Sequence, residues 1–585
     1  MITKRIFFKD FWSGKKICFL SIVVLFFLGL FCAKGLFKYY AISTHDGDYH
    51  IARVFDAIQT TREGYFPLRW AGSLNYFCGV PVFNFFYPLI YYLALVLNLI
   101  FKDVVVCLKL LASLSFILGP IFFYLWLYKE TKNYAASFLG GFLYLFLPYR
   151  FLLVYVRFSP EFLTYTLLPV LLFFLSKLFI KLEKKNQIGF NFWFLSFFVV
   201  ILMVMFLISH NFAIVLLFPV VLLFILAKFW TDKDFSIKKA KLFLLLVLSS
   251  LTLSSFFLGP MFFEKKFVRL GSQNVVNCLD HFPTVGQIVR SKWGYGGSMP
   301  GEKGDLMSFS LGYAQWLVII FSILYLLKTF IREKKELDYW IIFWLLLSLG
   351  SIFFTLSLSS FFWRRSKILC DLQFPWRFLG VSGLAVAALS AHLLKGIKNR
   401  TLFFSIFLIL ILIGFLGNRN HLLAQPVLNI NKYIDFGKNH PARFAPTMVN
   451  DDILNKESKS ACNFQDEFLT ALSHRPLDYT VSRKNNSGEI IIKQINNENV
   501  TLRLNLEFFP GIYKIGLNNK NFSGLENCQG KLCLRNIYLA KGINRISWKI
   551  VQSPIENFFN FVSLGTLGIW CLILINVWLK EKKER

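Results

Sequence analysis

Acidic residues are scarce in this chain: 33 Asp and Glu stand against 64 Lys and Arg, a formal net charge of +31 over 585 residues. That balance raises nucleic acid as a partner. The basic residues, however, fall in short blocks beside apolar runs, at Lys15-Lys16, Lys228 to Lys241, Lys328 to Lys335 and Lys580 to Arg585. Lys and Arg at the ends of apolar segments mark the cytoplasmic side of a membrane protein, so the charge reports topology and a nucleic-acid partner is excluded. Metal-site spacing is missing as well. None of the ten cysteines forms a C-x-x-C pair, and no Cys/His pattern supports structural zinc. The Gly-rich stretch 291–312 follows no strand and lacks the G-K-[ST] ending of a phosphate loop, which excludes nucleotide binding there. With no small-residue cleavage site before Lys38, the Lys-rich N-terminus and the run after it read as an uncleaved first span.

Apolar residues make up 56% of the chain and aromatics 18%, with 69 Phe, which indicates a polytopic membrane protein. Runs of spanning length begin at Ile17–Leu36, recur to Phe415, and end with Phe558–Leu579. Only helices satisfy their own backbone in lipid at such lengths. Counting back from a cytoplasmic C-terminus puts 418–557 outside, spans near 402–417, 375–394, 339–358 and 312–329, and a second external loop at 264–311. Forward counting puts 37–80 outside. The two counts agree if Phe83–Phe101, broken by Pro81 and Pro88, is a juxtamembrane or re-entrant element while Val104–Tyr128 spans. The expected fold is thus an all-α polytopic membrane protein of about twelve to thirteen helices, both ends cytoplasmic. Its divisions are 1–36 (first helix), 37–103 (first external loop), 104–263 (transmembrane core), 264–311, 312–417, 418–477 (external linker), 478–557 and 558–585.

Within 478–557 the pattern changes. V-T-L-R-L-N-L-E-F (500–508) alternates strictly, and G-E-I-I-I-K (488–493) and I-N-R-I-S-W-K-I (543–550) are β-rich, which predicts a small extracytoplasmic β-sandwich. Cys528 and Cys533 would close a small disulfide loop if this region faces an oxidising compartment. Cys18, Cys32, Cys107 and Cys571 fall in spans and act as small apolar groups.

Ionisable chemistry concentrates in S-T-H-D-G-D-Y-H-I-A-R (43–53), just after the first span. If the chain turns helical from Asp46, then Asp46, His50 and Arg53 share one face, with Asp48 on its flank and His45 just before. Either a carboxylate here is a general base or a divalent-cation ligand (Mg or Mn, on Asp46 and Asp48), or Asp46 or Asp48 simply caps the helix. In Y-V-R-F-S-P-E, Arg157 and Glu161 are spaced i, i+4: a cavity pair or an interfacial salt bridge. His210, between two apolar runs, hydrogen-bonds or binds something. Trp293 and Tyr295 suit stacking on a sugar or interfacial anchoring. Gln373 and Arg377 open a span, where a guanidinium fork would meet a lipid phosphate or anchor at headgroups. Phe508-Phe509-Pro510 is either a glycan-stacking platform or an interior strand end.

An acidic motif in the first external loop resembles the GT-C superfamily of membrane glycosyltransferases. H-D-G-D-Y-H-I-A-R, G-Y-F-P-L-R-W-A-G-S-L-N-Y-F-C-G-V-P-V-F-N-F-F-Y-P-L, Y-V-R-F-S-P-E, S-K-W-G-Y-G-G-S and L-Q-F-P-W-R-F-L-G, in that order, resemble a bacterial membrane protein family labelled as carrying a 6-pyruvoyl-tetrahydropterin synthase-related domain. The eight dispersed histidines give the pterin part of that label no support. Where the family pattern has Arg-Gly, this chain has Arg157-Phe158.

The resemblance implies sugar transfer from a polyprenyl-phosphate donor to an external glycan, lipid or protein acceptor at a bacterial inner membrane. It makes Asp46 the base, with Asp48 as alternate base or metal ligand. His50 and Arg53 would hold the donor phosphate, Glu161 would orient the acceptor or metal, and Arg377 would offset leaving-group charge. His45, Arg157, His210, Trp293 and Gln373 complete the expected binding residues. Two other classes remain open: a transporter or flippase for lipid-linked glycans, and an assembly protein whose β-domain binds cell-wall glycan.

Overall fold

The computed structural model describes residues 14–183, 188–231, 236–269, 277–301, 304–333, 337–427, 454–457, 462, 467–472 and 476–584. The Lys-rich N-terminus, parts of the basic loops, Arg585 and most of the 418–477 linker lie outside the described residues. Of the described residues, 64% are helical. Among the described residues, eight helices are long and apolar enough to cross a membrane, and three further pairs, bent by 42°, 65° and 84°, raise the number to eleven if each is one span. The expected twelve is reached if one of the shorter apolar helices Leu89–Phe101 and Val215–Lys228 also crosses, and thirteen if both do. As expected from its prolines, the 83–101 stretch is interrupted: a turn of helix at Val82–Phe85, a break at Pro88, then 13 helical residues.

Helix starts are set locally. Asp103, Asn133, Asp338 and Asn399 each accept a bond from a backbone N–H of the first turn, satisfying donors that a helix leaves open. Phe19, Leu99, Leu244, Phe330 and Leu564 stand exposed on helix flanks, as a lipid-facing surface requires.

Residues beyond the linker form two antiparallel sheets. The first has the order β1-β4-β8-β7, with β1 Leu469–Ala471, β4 Glu498–Glu507, β7 Leu525–Cys528 and β8 Lys531–Leu539. The second has the order β2-β3-β9-β5-β6, with β2 Asp478–Arg483, β3 Ser487–Gln494, β5 Tyr513–Leu517, β6 Lys520–Phe522 and β9 Gly542–Ile550. Alternation drives this where Leu502, Leu504 and Ile546 are fully buried between hydrophilic neighbours; Ile490 and Ile492 are buried on either side of the half-buried Ile491, and Leu532 and Leu534 on either side of the buried Cys533. The β-region therefore begins before the expected 478, because β1 pairs with β4. Phe509 is buried against Trp70 and Phe267, which leaves the interior reading of Phe508-Phe509-Pro510 and corrects the stacking platform.

Cys528 and Cys533 are bonded, as are Cys78 with Cys462 and Cys278 with Cys370. All six lie in segments expected outside, while the free Cys18, Cys32, Cys107 and Cys571 sit in apolar helices. Cys78–Cys462 joins the first loop to the β-region, and further contacts seat that region on the helix Gly47–Arg62. The Glu63 carboxylate accepts the backbone N–H of Asn485 (2.8 Å) and Asn486 (3.0 Å), in the β2–β3 turn. Gly72 lets this turn approach: a Cβ there would lie 1.5 Å from the Asn485 carbonyl oxygen. The last helix, Pro554–Glu584, is tied to the same loop, since Asn84 donates to both Glu264 (3.1 Å) and Glu556 (2.6 Å) and accepts from Arg69 (3.3 Å).

Asp56 is the pivot of this seating. Its fully buried carboxylate accepts from the Ser73 backbone (2.8 Å), the Ser73 hydroxyl and Thr60 (3.2 Å). Burial pushes its pKa up from 3.8 to about 6 against those bonds. Between about pH 4 and 6 the unfolded chain releases this proton while the folded one keeps it. Stability is therefore highest below that window and falls across it as pH rises, by about 3 kcal/mol. Asp56→Asn is expected to remove this share of the slope and leave that of the buried Glu264, measured as melting temperature against pH from 4 to 7 beside the wild type.

Candidate functional site

Asp46 immediately precedes the helix Gly47–Arg62, where an aspartate ordinarily caps, yet its side chain makes no capping bond. Thr44 does so instead, its hydroxyl oxygen accepting from the Gly47 N–H at 3.2 Å. The Asp46 carboxylate, one-third exposed, is turned to Arg157 Nη2 at 3.5 Å, and its backbone N–H donates to the Arg157 carbonyl at 2.9 Å. Asp48 lies half-buried in the first helical turn, where a carboxylate meets the positive end of the helix dipole.

One and two turns further along, His50 and Arg53 are buried and both reach the Tyr91 hydroxyl, His50 Nδ1 at 3.3 Å and Arg53 Nη1 at 3.4 Å. The Arg53 guanidinium also lies 4.2 Å from the Phe86 ring centroid. Burial and the Arg53 charge push His50 down to about 3, so its imidazole is neutral at neutral pH. His50 Nε2, Arg53 Nε and both Nε and Nη1 of Arg157 are buried without a hydrogen-bond partner among the described residues.

Arg157 and Glu161 do not pair with each other, correcting the i, i+4 expectation. That spacing needs a continuous helix, and Phe158 adopts φ 52° and ψ 46° between the π-helical turn Leu152–Arg157 and the helix Glu161–Glu183. Arg157 is thereby turned to Asp46, and Glu161 inward to Arg377 Nη1 at 2.8 Å and the Tyr149 hydroxyl at 2.9 Å. A left-handed position suits the glycine of the resembled pattern, whereas Cβ makes it costly by roughly 1–2 kcal/mol. Phe158→Gly is accordingly expected to melt higher than Phe158→Ala, the reverse of the usual Gly/Ala order.

Arg377 is 1% exposed, between Glu161 and the Phe212 ring at 4.0 Å, so it is no headgroup anchor. His210 stacks on Tyr87 at 4.2 Å, and burial with the Arg377 and Arg157 charges holds it well below the usual histidine range. Tyr87, also 6.2 Å from the His50 ring, joins the two histidines. Tyr87, Tyr91 and Tyr149 were absent from the expected site; Y-P-L-I-Y (87–91) beside the acidic loop was the signal for the first two, and Tyr149 opens the stretch 149–161 that carries Arg157 and Glu161.

The Gly-rich loop supports this group from one side. The Tyr295 carbonyl lies 3.0 Å from His45 Nε2, and burial lowers the His45 pKa. Gly294 permits the fold-back, since a Cβ would lie 2.2 Å from the Leu306 carbonyl oxygen. Trp293 stacks on His421 at 4.1 Å, a platform already covered on that face. Gln373 takes a left-handed backbone (φ 67°) in the turn before Phe374, and no hydrogen bond joins its side chain to the Asp46 group among the described residues.

Comparison with known proteins finds no matching family model and no matching curated protein. The arrangement combines one partly exposed carboxylate, a neutral imidazole and guanidinium N–H groups with capacity to spare. A divalent cation fits it poorly: Asp46 already faces the Arg157 cation, and no three His, Cys, Asp or Glu side chains converge among the described residues.

Proposed function

We propose that the chain is a GT-C-like glycosyltransferase that moves a sugar from a polyprenyl-phosphate donor to an extracytoplasmic acceptor. The observation that carries this reading is the Asp46 carboxylate, released from capping by Thr44 and paired with Arg157, where polar atoms of Arg157 and of Arg53 and His50 on the adjoining helix are buried without a hydrogen-bond partner among the described residues. A carboxylate so placed accepts the proton of an attacking hydroxyl. Guanidinium forks match phosphate oxygens and would offset charge on the departing polyprenyl phosphate. Neutral His50 presents Nε2 as a further hydrogen-bonding atom. Glu161 is a positioning residue in this reading, since it is 2% exposed and fully engaged by Arg377 and Tyr149. The three disulfides favour an oxidising exterior for the site, and the basic blocks favour cytoplasmic ends in a bacterial inner membrane.

A flippase for lipid-linked glycans is the second reading. The three bent helix pairs favour it, as does Arg150, buried at one of the bends with Nε and Nη1 unpartnered among the described residues. Membranes offered radiolabelled polyprenyl-phosphate sugars separate the two. The transferase reading expects label to leave the lipid for an acceptor. Equilibration of intact lipid-linked sugar across the bilayer, with no turnover, would replace it by the flippase.

A further inference from the structure

The solvent face of the second sheet carries a trough of about 550 Å³ that neither the Asp46 site nor the seating of the β-region uses. Its floor is one cross-strand row, Ser482–Glu489–Ser547–Gly516–Asn521, paired in register from β2 to β6. Four of the five side chains are short, so the row is a groove about 19 Å long at the usual strand spacing. Lys484, Lys514, Lys520 and Lys549 line it. The single acid, Glu489, is offset by Arg545 at 3.9 Å. Lys549, on the central strand β9, also reaches over the Tyr65 ring at 5.6 Å, which places one flank of the groove against the first external loop.

We propose that this face binds an anionic polysaccharide, a sugar chain carrying carboxylate or phosphate groups. Four lysines facing one balanced acid supply the charge complement. The Ser hydroxyls and the Asn521 amide supply donors and acceptors for sugar hydroxyls. Other polyanions fit less well. Ile515 and Trp548 are buried, so no aromatic lies open in the trough for bases to stack on and no apolar side chain for lipid insertion. The surface stands independently of the transferase reading.

The test uses the full chain in neutral-lipid nanodiscs, because an isolated 478–552 fragment would lack β1 and the Cys78–Cys462 bond. Labelled polygalacturonate is expected to bind and to be released by salt, while uncharged dextran does not bind. Lys484→Glu, Lys514→Glu and Lys549→Glu combined should weaken binding at least about tenfold. Arg535→Glu, exposed on the other sheet, should leave it unchanged. Equal binding of dextran, or full binding by the triple variant, overturns the proposal. So does failure of polygalacturonate to bind while the same lysines carry the chain to anionic vesicles.

Discussion

Asp46→Asn is expected to lower lipid-linked sugar transfer by at least about a hundredfold, the scale of losing a positioned base, with the melting temperature unchanged. The amide keeps the shape of the side chain and removes its capacity to take a proton. Stability is spared because Asp46 is one-third exposed, and its pairing with Arg157 at 3.5 Å is long for a charge-assisted bond. The start of the helix does not depend on it either. Thr44→Ala should do the opposite, costing about 1 kcal/mol of stability through the lost cap while transfer falls much less. A transfer assay and a melting curve on the same two preparations decide the matter. Full activity in Asp46→Asn would remove Asp46 from the chemistry, and a large fall in its melting temperature would make its role structural.

Glu161→Ala is expected to be the most destabilising of these single changes, at about 3–5 kcal/mol. It leaves the Arg377 guanidinium buried against Phe212 with its counter-charge gone, and it strips the Tyr149 hydroxyl of its acceptor. Glu161→Gln should cost less, since it keeps an oxygen for Tyr149, yet it still leaves Arg377 uncompensated. Combining Glu161→Gln with Arg377→Met removes both charges and should recover much of the loss, so the two changes couple strongly in a double-mutant cycle of melting curves. Additive effects would show that the pair does not act as a unit. The transfer assay adds a second readout: restored stability without restored transfer separates the position Arg377 holds from mere integrity of the fold.

Much of the architecture was legible because its causes are local. A backbone in lipid has a helix as its local solution, so apolar runs at 312–329 and 402–417 predicted the helices observed at Tyr313–Lys328 and Arg400–Gly417. Strict alternation placed β4, because a strand buried on one face needs a period of two, and β-rich composition placed β3 and β9. Cys528 and Cys533 are five residues apart, and their pairing could be posed from the sequence. Asp46, His50 and Arg53 were found together because one helix carries all three.

Tertiary structure decided the partners. Nothing local joins Cys78 to Cys462, 384 residues away, or Glu161 to Arg377, 216 away. The i, i+4 rule for Arg157 and Glu161 failed at Phe158, whose left-handed backbone turns the two side chains in different directions. Pro160, between the two residues, and the glycine of the resembled pattern at 158 were the signs of the break. Composition and periodicity by themselves determined the helical spans and the strands, since each residue's burial face follows from its neighbours along the chain. Which charges meet was decided only when the spans packed, because a buried guanidinium takes whichever acceptor the packing brings within reach.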